Sequence, residues 1–148
     1  MSTEPLFKAE VSPADAVDQQ IVELLHGLRN GPLGEHLDSA EMAVLRLIRY
    51  RRGVANAISI REIQEKLDLG EREIKQIVRT LRIDFRLPIG SSKNGSTGGY
   101  FIIASIEDQA VAVAGPLAQI RAEAEILKVL TNPERTRELL GQIQLEVH

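Results

Sequence analysis

Residues 58–82, ISIREIQEKLDLGEREIKQIVRTLR, hold two short amphipathic helices around a tight turn. Ser59 followed by Glu62 forms a capping box, in which the hydroxyl accepts from the third backbone amide and the acid reaches back to the first. It opens a helix over about 61–67, with Ile63 and Leu67 inward. Asp68-Leu69-Gly70 is the turn. A second helix starts at Gly70 with Glu71 and Glu73 in its first turn, where the helix dipole favours negative charge. Ile74, Ile77, Val78 and Leu81 follow at steps of 3, 1 and 3, the spacing of one buried helical face. Arg72, Lys75, Gln76 and Arg79 are left pointing outward, at the same steps of 3, 1 and 3, as three cations and one amide over about two turns.

Working outward, the C-terminal side of this pair carries a hairpin signature. Pro88–Ser92 and Tyr100–Ala104 are strand-like and are joined by the Gly-rich turn KNGSTGG. On the N-terminal side, residues 1–11 show no periodicity and are expected to be mobile. Ser12-Pro13-Ala14-Asp15 starts a helix whose apolar residues Val17, Ile21, Leu24, Leu25 and Leu28 lie on one face before Asn30-Gly31-Pro32 ends it. A further helix begins near Asp38, boxed by Glu41, and is expected to run to Gly53 with Val44, Leu45, Leu47 and Ile48 inward. Asn56–Ile60 is short and β-friendly. After the hairpin, Ser105-Ile106-Glu107-Asp108 is another capping box. The helix it opens carries apolar or Ala residues from Ile106 to Leu127 at heptad steps. Gly115-Pro116 should kink or split that helix, at a cost of about 3 kcal/mol if it stays continuous. A last short helix follows Asn132-Pro133, with Leu139, Leu140 and Ile143 apolar.

The order from residue 39 to 104 is helix, short strand, helix, turn, helix, strand, Gly-rich loop, strand, which is the order of a helix-turn-helix followed by a wing. Here ISIREIQEKLDLGEREIKQIVRTLR resembles the helix-turn-helix of winged-helix DNA-binding proteins. RLPIGSSKNGSTGGYFI, residues 86–102, is similar to the wing of small helix-turn-helix proteins of bacteria and their phages. The resemblance covers about residues 39–106. It implies a mainly α fold with a small β-hairpin: an N-terminal arm and helix over 1–38, a winged helix over 39–104 and C-terminal helices over 105–148. The function it implies is DNA binding in a bacterial or prophage transcriptional regulator, with the helix at about 70–83 in the major groove and the wing at 91–99 on the backbone or minor groove. Winged helices also serve phage replication, packaging and protein contact, so an adaptor or assembly module is the alternative.

The residues bear on nucleic acid independently of that resemblance. Arg bonds guanine bidentately and Gln bonds adenine, each contact giving about 1–3 kcal/mol of discrimination. In the wing, Ser92, Lys93 and Asn94 offer a hydroxyl, a cation and an amide suited to phosphate or minor-groove contact. Arg46, Arg49, Arg51, Arg52 and Arg61 add charge nearby, with Arg61 the candidate closest to the turn.

Composition bounds the rest. The chain has 148 residues and a net charge of −3, but residues 40–100 hold 12 basic against 7 acidic side chains, leaving the middle at +5 and the flanks at −8. Hydrophobic residues at 43% can build a core, and with 3 Phe, 2 Tyr and no Trp that core must be mostly aliphatic. Zero Cys excludes disulfides and thiolate chemistry. No apolar run reaches the roughly 20 residues of a membrane span, and MSTEPLFKAE lacks the features of a signal peptide, so a cytoplasmic protein without membrane partners is expected. His26, His36 and His148 have no metal-ligand spacing. The Gly90–Thr97 loop lacks the Lys of a phosphate-binding loop. No nucleophile has a placed base, and no cofactor, metal or small-molecule ligand is implied. The expected partners are double-stranded DNA and a second copy of the chain. The heptad residues Val113, Leu117, Ile120 and Leu127 are the expected dimer interface, the alternative being packing within one chain.

Overall fold

The computed structural model describes residues 12–93 and 98–146; the arm at 1–11 and the wing tip, Asn94 included, lie outside the described residues. Six α-helices and one hairpin are present among the described residues: α1 Pro13–Leu25, α2 Ser39–Ile48, α3 Ile60–Lys66, α4 Glu71–Ile83, β1 Ile89–Ser92, β2 Gly99–Ile102, α5 Ile106–Leu130 and α6 Pro133–Glu146. None of the helices is long and apolar enough to cross a membrane. The architecture is mainly α with a two-stranded hairpin, and α2–β2 is a winged helix-turn-helix.

The helix starts follow their local chemistry. Ser12 accepts from the Asp15 amide at 3.2 Å, and Ser59 from the Glu62 amide at 3.1 Å. Asp38 and Glu41 form the complete reciprocal box. The helix ends differ from expectation. α1 stops at Leu25, not near Asn30, because Gly27 takes a left-handed φ of 72°. The Leu28 amide then bonds the Glu23 carbonyl and the Gly27 amide the Leu24 carbonyl, a Schellman closure. Leu28 thereby leaves the buried face and stands 79% exposed. α2 ends at Ile48, short of Gly53, because the chain beyond it is needed for the sheet. The Ile102 amide bonds the Arg51 carbonyl and the Gly53 amide bonds the Ile102 carbonyl. The β-friendly stretch Asn56–Ile60 makes only a single bridge, at Ile58; Asn56 ends a 3-10 turn, Val54–Asn56, and Ile60 already opens α3.

β1 and β2 pair antiparallel, with Ile89 opposite Ile102 and Ser91 opposite Tyr100. On the other edge of β2, Ile58 and Tyr100 exchange two 2.8 Å bonds. Gly99 allows that approach: its φ is 151°, and a Cβ there would overlap the Ile58 carbonyl. The core is mostly aliphatic, as expected from composition, although its largest fully buried side chain is Phe101. Ile21, Val44, Leu45, Ile48, Ile58, Ile63, Ile74, Val78 and Leu81 are fully buried, and Phe85 and Tyr100 join them.

Two long-range devices hold this unit. Asp18 accepts from Arg49 Nε at 2.9 Å and Asp15 from Arg52 at 2.8 Å, tying α1 to the end of α2. Asp108, 8% exposed, accepts from the Val54 amide at 3.1 Å and the Ala104 amide at 2.9 Å. Its own amide donates to Ser105 Oγ. Burial pushes the Asp108 carboxyl up, but these bonds outweigh it and hold the group below its ordinary 3.8.

α5 carries the boundary between two compact units, one up to Ala112 and one from Val113. It is continuous through Pro116, not split there. The second unit is a helical hairpin closed by Asn132, whose Oδ1 caps α6 through the Arg135 amide at 2.8 Å. Thr136, 1% exposed, is its only fully buried residue among those described.

Candidate nucleic-acid interface

α4 has the two faces its spacing predicts. Ile74, Val78 and Leu81 are fully buried and Ile77 is half-buried, while Arg72, Lys75, Gln76 and Arg79 are all exposed. These four line an open groove of about 510 Å³ between α4 and the hairpin. Ser91 and Tyr100 supply its hairpin side, and Arg82 and Ile83 continue the helix side by one more turn.

Charge pairing sorts the cations of the basic middle. Arg49, Arg51 and Arg52 are bound to Asp18, Glu62 and Asp15, so the end of α2 is largely neutralised from within. Arg61 is exposed at the start of α3 and pairs with Glu65 at 3.5 Å, away from the groove. On α4, Lys75 meets Glu71 at 3.6 Å, an exposed pair of small energetic weight. Arg72, Arg79 and Arg82 have no carboxylate within 4 Å among the described residues. Three of the cations left without an ion pair among the described residues, Arg72, Arg79 and Arg82, therefore share the groove, while Arg46, Lys66, Arg86 and Lys93 lie outside its lining.

The hairpin distributes the wing candidates unequally. Side chains alternate along a strand, so Ser91 enters the groove while Ser92 faces away, its Oγ buried without a partner among the described residues. Lys93 is exposed at the base of the loop. Asn94 lies outside the described residues.

Arg82 and Tyr100 are groove residues that the outward-face reading missed. Arg82 is half-buried; its Nε donates to the Ile89 carbonyl at 2.7 Å, and its guanidinium carbon lies 5.8 Å from the Tyr100 ring centre. Burial lowers the Arg82 pKa and raises that of Tyr100. The signal was available in the sequence: the 72, 75, 76, 79 series continues at 82 and 83 on a helix of 3.6 residues per turn.

The heptad residues fall on the second unit. Val113, Leu117 and Ile120 are 46%, 43% and 56% exposed, and Leu127 is half-buried. Ile120 and Leu127 line an apolar groove of about 380 Å³ together with Pro116, Ala124, Leu140 and Ile143.

No protein-family model matches the chain, and no curated protein matches it in sequence. Among solved structures, the chain is similar to a MarR/EmrR family transcriptional regulator from Acinetobacter sp. ADP1, with 12% identity, a TM-score of 0.36 and coverage of 99% of this chain and 98% of that one.

Proposed function

We propose that the chain binds duplex DNA and regulates transcription, with α4 as the recognition helix. The observation that carries this reading is the α4 face: Arg72, Lys75, Gln76 and Arg79 stand exposed in one row on the second helix of a helix-turn-helix. Arg72 and Arg79 are free of carboxylates among the described residues. In the major groove, the arginines suit guanine and Gln76 suits adenine. Lys93 and the wing tip with Asn94 serve the backbone or minor groove, and Arg61 adds a phosphate contact once it releases Glu65.

The active species is a homodimer joined through the second unit. A two-helix hairpin with one buried residue among those described has little core of its own, and Val113, Leu117, Ile120 and Leu127 leave an apolar surface that needs cover. A second copy supplies a face of the same chemistry, as two-fold interfaces require. It also adds a second DNA half-site, about 34–36 Å away on the duplex.

The test is fluorescence anisotropy of a labelled random duplex at about 50 and 200 mM salt. Several phosphate contacts predict affinity falling by orders of magnitude between the two. The Arg72→Ala/Arg79→Ala double variant should lose most of the binding. Unchanged affinity in that variant would remove α4 as the reading face. Leu117→Glu or Ile120→Glu should convert a dimer to a monomer by light scattering, and an unaltered mass would place the interface elsewhere. The exposed apolar face of the second unit favours one other reading, a protein-assembly module. Absence of duplex binding by the wild-type chain at low salt would make that reading the lead.

A further inference from the structure

Arg82 is more than an extension of the recognition face. Its Nε–H is committed to the Ile89 carbonyl, which ties the last turn of α4 to β1 and fixes the plane of the guanidinium against the Tyr100 ring. That bond uses one of five N–H donors. No carboxylate lies within 4 Å among the described residues, although the group is half-buried. A guanidinium withdrawn from water without an anion is costly, and the tether to one carbonyl needs only a neutral donor. Glu71, whose charge acts on Tyr100, is itself paired with Lys75. What remains is an oriented fork opening into a groove whose other cations are Arg72, Arg79 and the Glu71-paired Lys75. A planar fork in a fixed orientation matches the oxygens of a phosphate better than a mobile ammonium does.

We infer that the groove between α4 and β1 is a phosphate seat, built on Arg82 and rimmed by Ser91, which a backbone phosphate fills in the DNA complex. The contact is blind to sequence. Its role is to set how deeply α4 enters the major groove, because the same arginine is bonded to the hairpin. This inference rests on the DNA-binding reading for the source of the phosphate, and the two are tested separately.

The first arm titrates wild type, Arg82→Lys and Arg82→Gln with random duplex at several salt concentrations, with thermal unfolding of each variant as a control. Arg82→Gln should weaken binding about tenfold on any sequence and lower the slope of log affinity against log salt by about 0.9, one phosphate contact. Arg82→Lys should keep the slope and lose part of the affinity. A duplex-binding Arg82→Gln protein with an unchanged slope would overturn the seat while leaving the DNA reading intact. The second arm adds inorganic phosphate alone and follows the arginine Nε–H resonances by NMR. The Arg82 signal should move saturably while that of the exposed Arg61 stays in place. If the wild-type chain binds no duplex, the DNA reading falls, and this arm alone decides the seat: a moving Arg82 signal supports it and a static one refutes it.

Discussion

Replacing Asp108 with Ala removes one carboxylate that serves two backbone amides 50 residues apart, Val54 and Ala104. Hydrogen bonds to a charged group contribute about 1.5–3 kcal/mol each. The site is 8% exposed, so little water can replace the lost acceptor. With some relaxation of the 3-10 turn, the expected loss is about 3 kcal/mol, or a fall in Tm of about 6–12 °C for a chain of this size. Asp108→Asn keeps one acceptor and turns an amide toward the other donor, so it should lose about half as much or more. The pH dependence has a definite sign. The carboxyl is held below its ordinary 3.8 in the folded chain, so its contribution is full above that value and is lost as pH falls through the depressed folded pKa. The gap between wild type and Asp108→Asn should therefore close on acidification from about pH 5 to the depressed pKa. Thermal and urea unfolding followed by far-ultraviolet circular dichroism measure both effects. An Asp108→Ala protein within about 0.5 kcal/mol of wild type at neutral pH would refute the assignment. So would a gap to Asn that stays constant across the acidic range.

Gly99→Ala should cost about 2–4 kcal/mol in urea unfolding, because the new Cβ meets the Ile58 carbonyl and the backbone is already at a left-handed φ; a near-neutral variant would mean that the Ile58–Tyr100 bridge is not essential. Pro116→Ala restores a donor for the Ala112 carbonyl inside a continuous helix, so helicity should rise and stability increase by about 1–3 kcal/mol. No gain by circular dichroism would show that the proline already sits at a relaxed bend.

The parts of the fold that sequence reading recovered are those governed by neighbours a few residues away. Caps at Ser12, Asp38, Ser59 and Ser105 are local devices, and the buried face of α4 follows from periodicity alone. The helix ends were less legible. Gly27 ends α1 through an ordinary local motif, which the more conspicuous Asn30-Gly31-Pro32 break obscures in the sequence. The end of α2 has no local signal, because Arg51 and Gly53 leave the helix to pair with Ile102, about a third of the chain away. Separations of 31 to 54 residues likewise hid the second role of Asp108 and the capture of Arg49 and Arg52 by α1. For the candidate site, outward position could be counted on the helix, but pairing could not. Only the three-dimensional arrangement separates Arg72, Arg79 and Arg82 from the arginines whose charge is already met. It likewise separates Ser91 from Ser92.

The capture of Arg49 and Arg52 by Asp18 and Asp15 has a kinetic consequence on the DNA-binding reading. With those arginines cancelled internally and a net charge of −3, the protein is repulsive to a polyanion from afar and attractive only close to its unpaired cations, those of the α4 groove among them. The Debye length is about 30 Å at 0.01 M salt and about 8 Å at 0.15 M. In dilute buffer an approaching duplex feels the whole molecule; near physiological salt it feels only the surface it is about to touch. Added salt first lifts the long-range barrier and only later weakens the contact. The association rate therefore passes through a maximum at intermediate ionic strength, where a uniformly basic protein would show a steady decline.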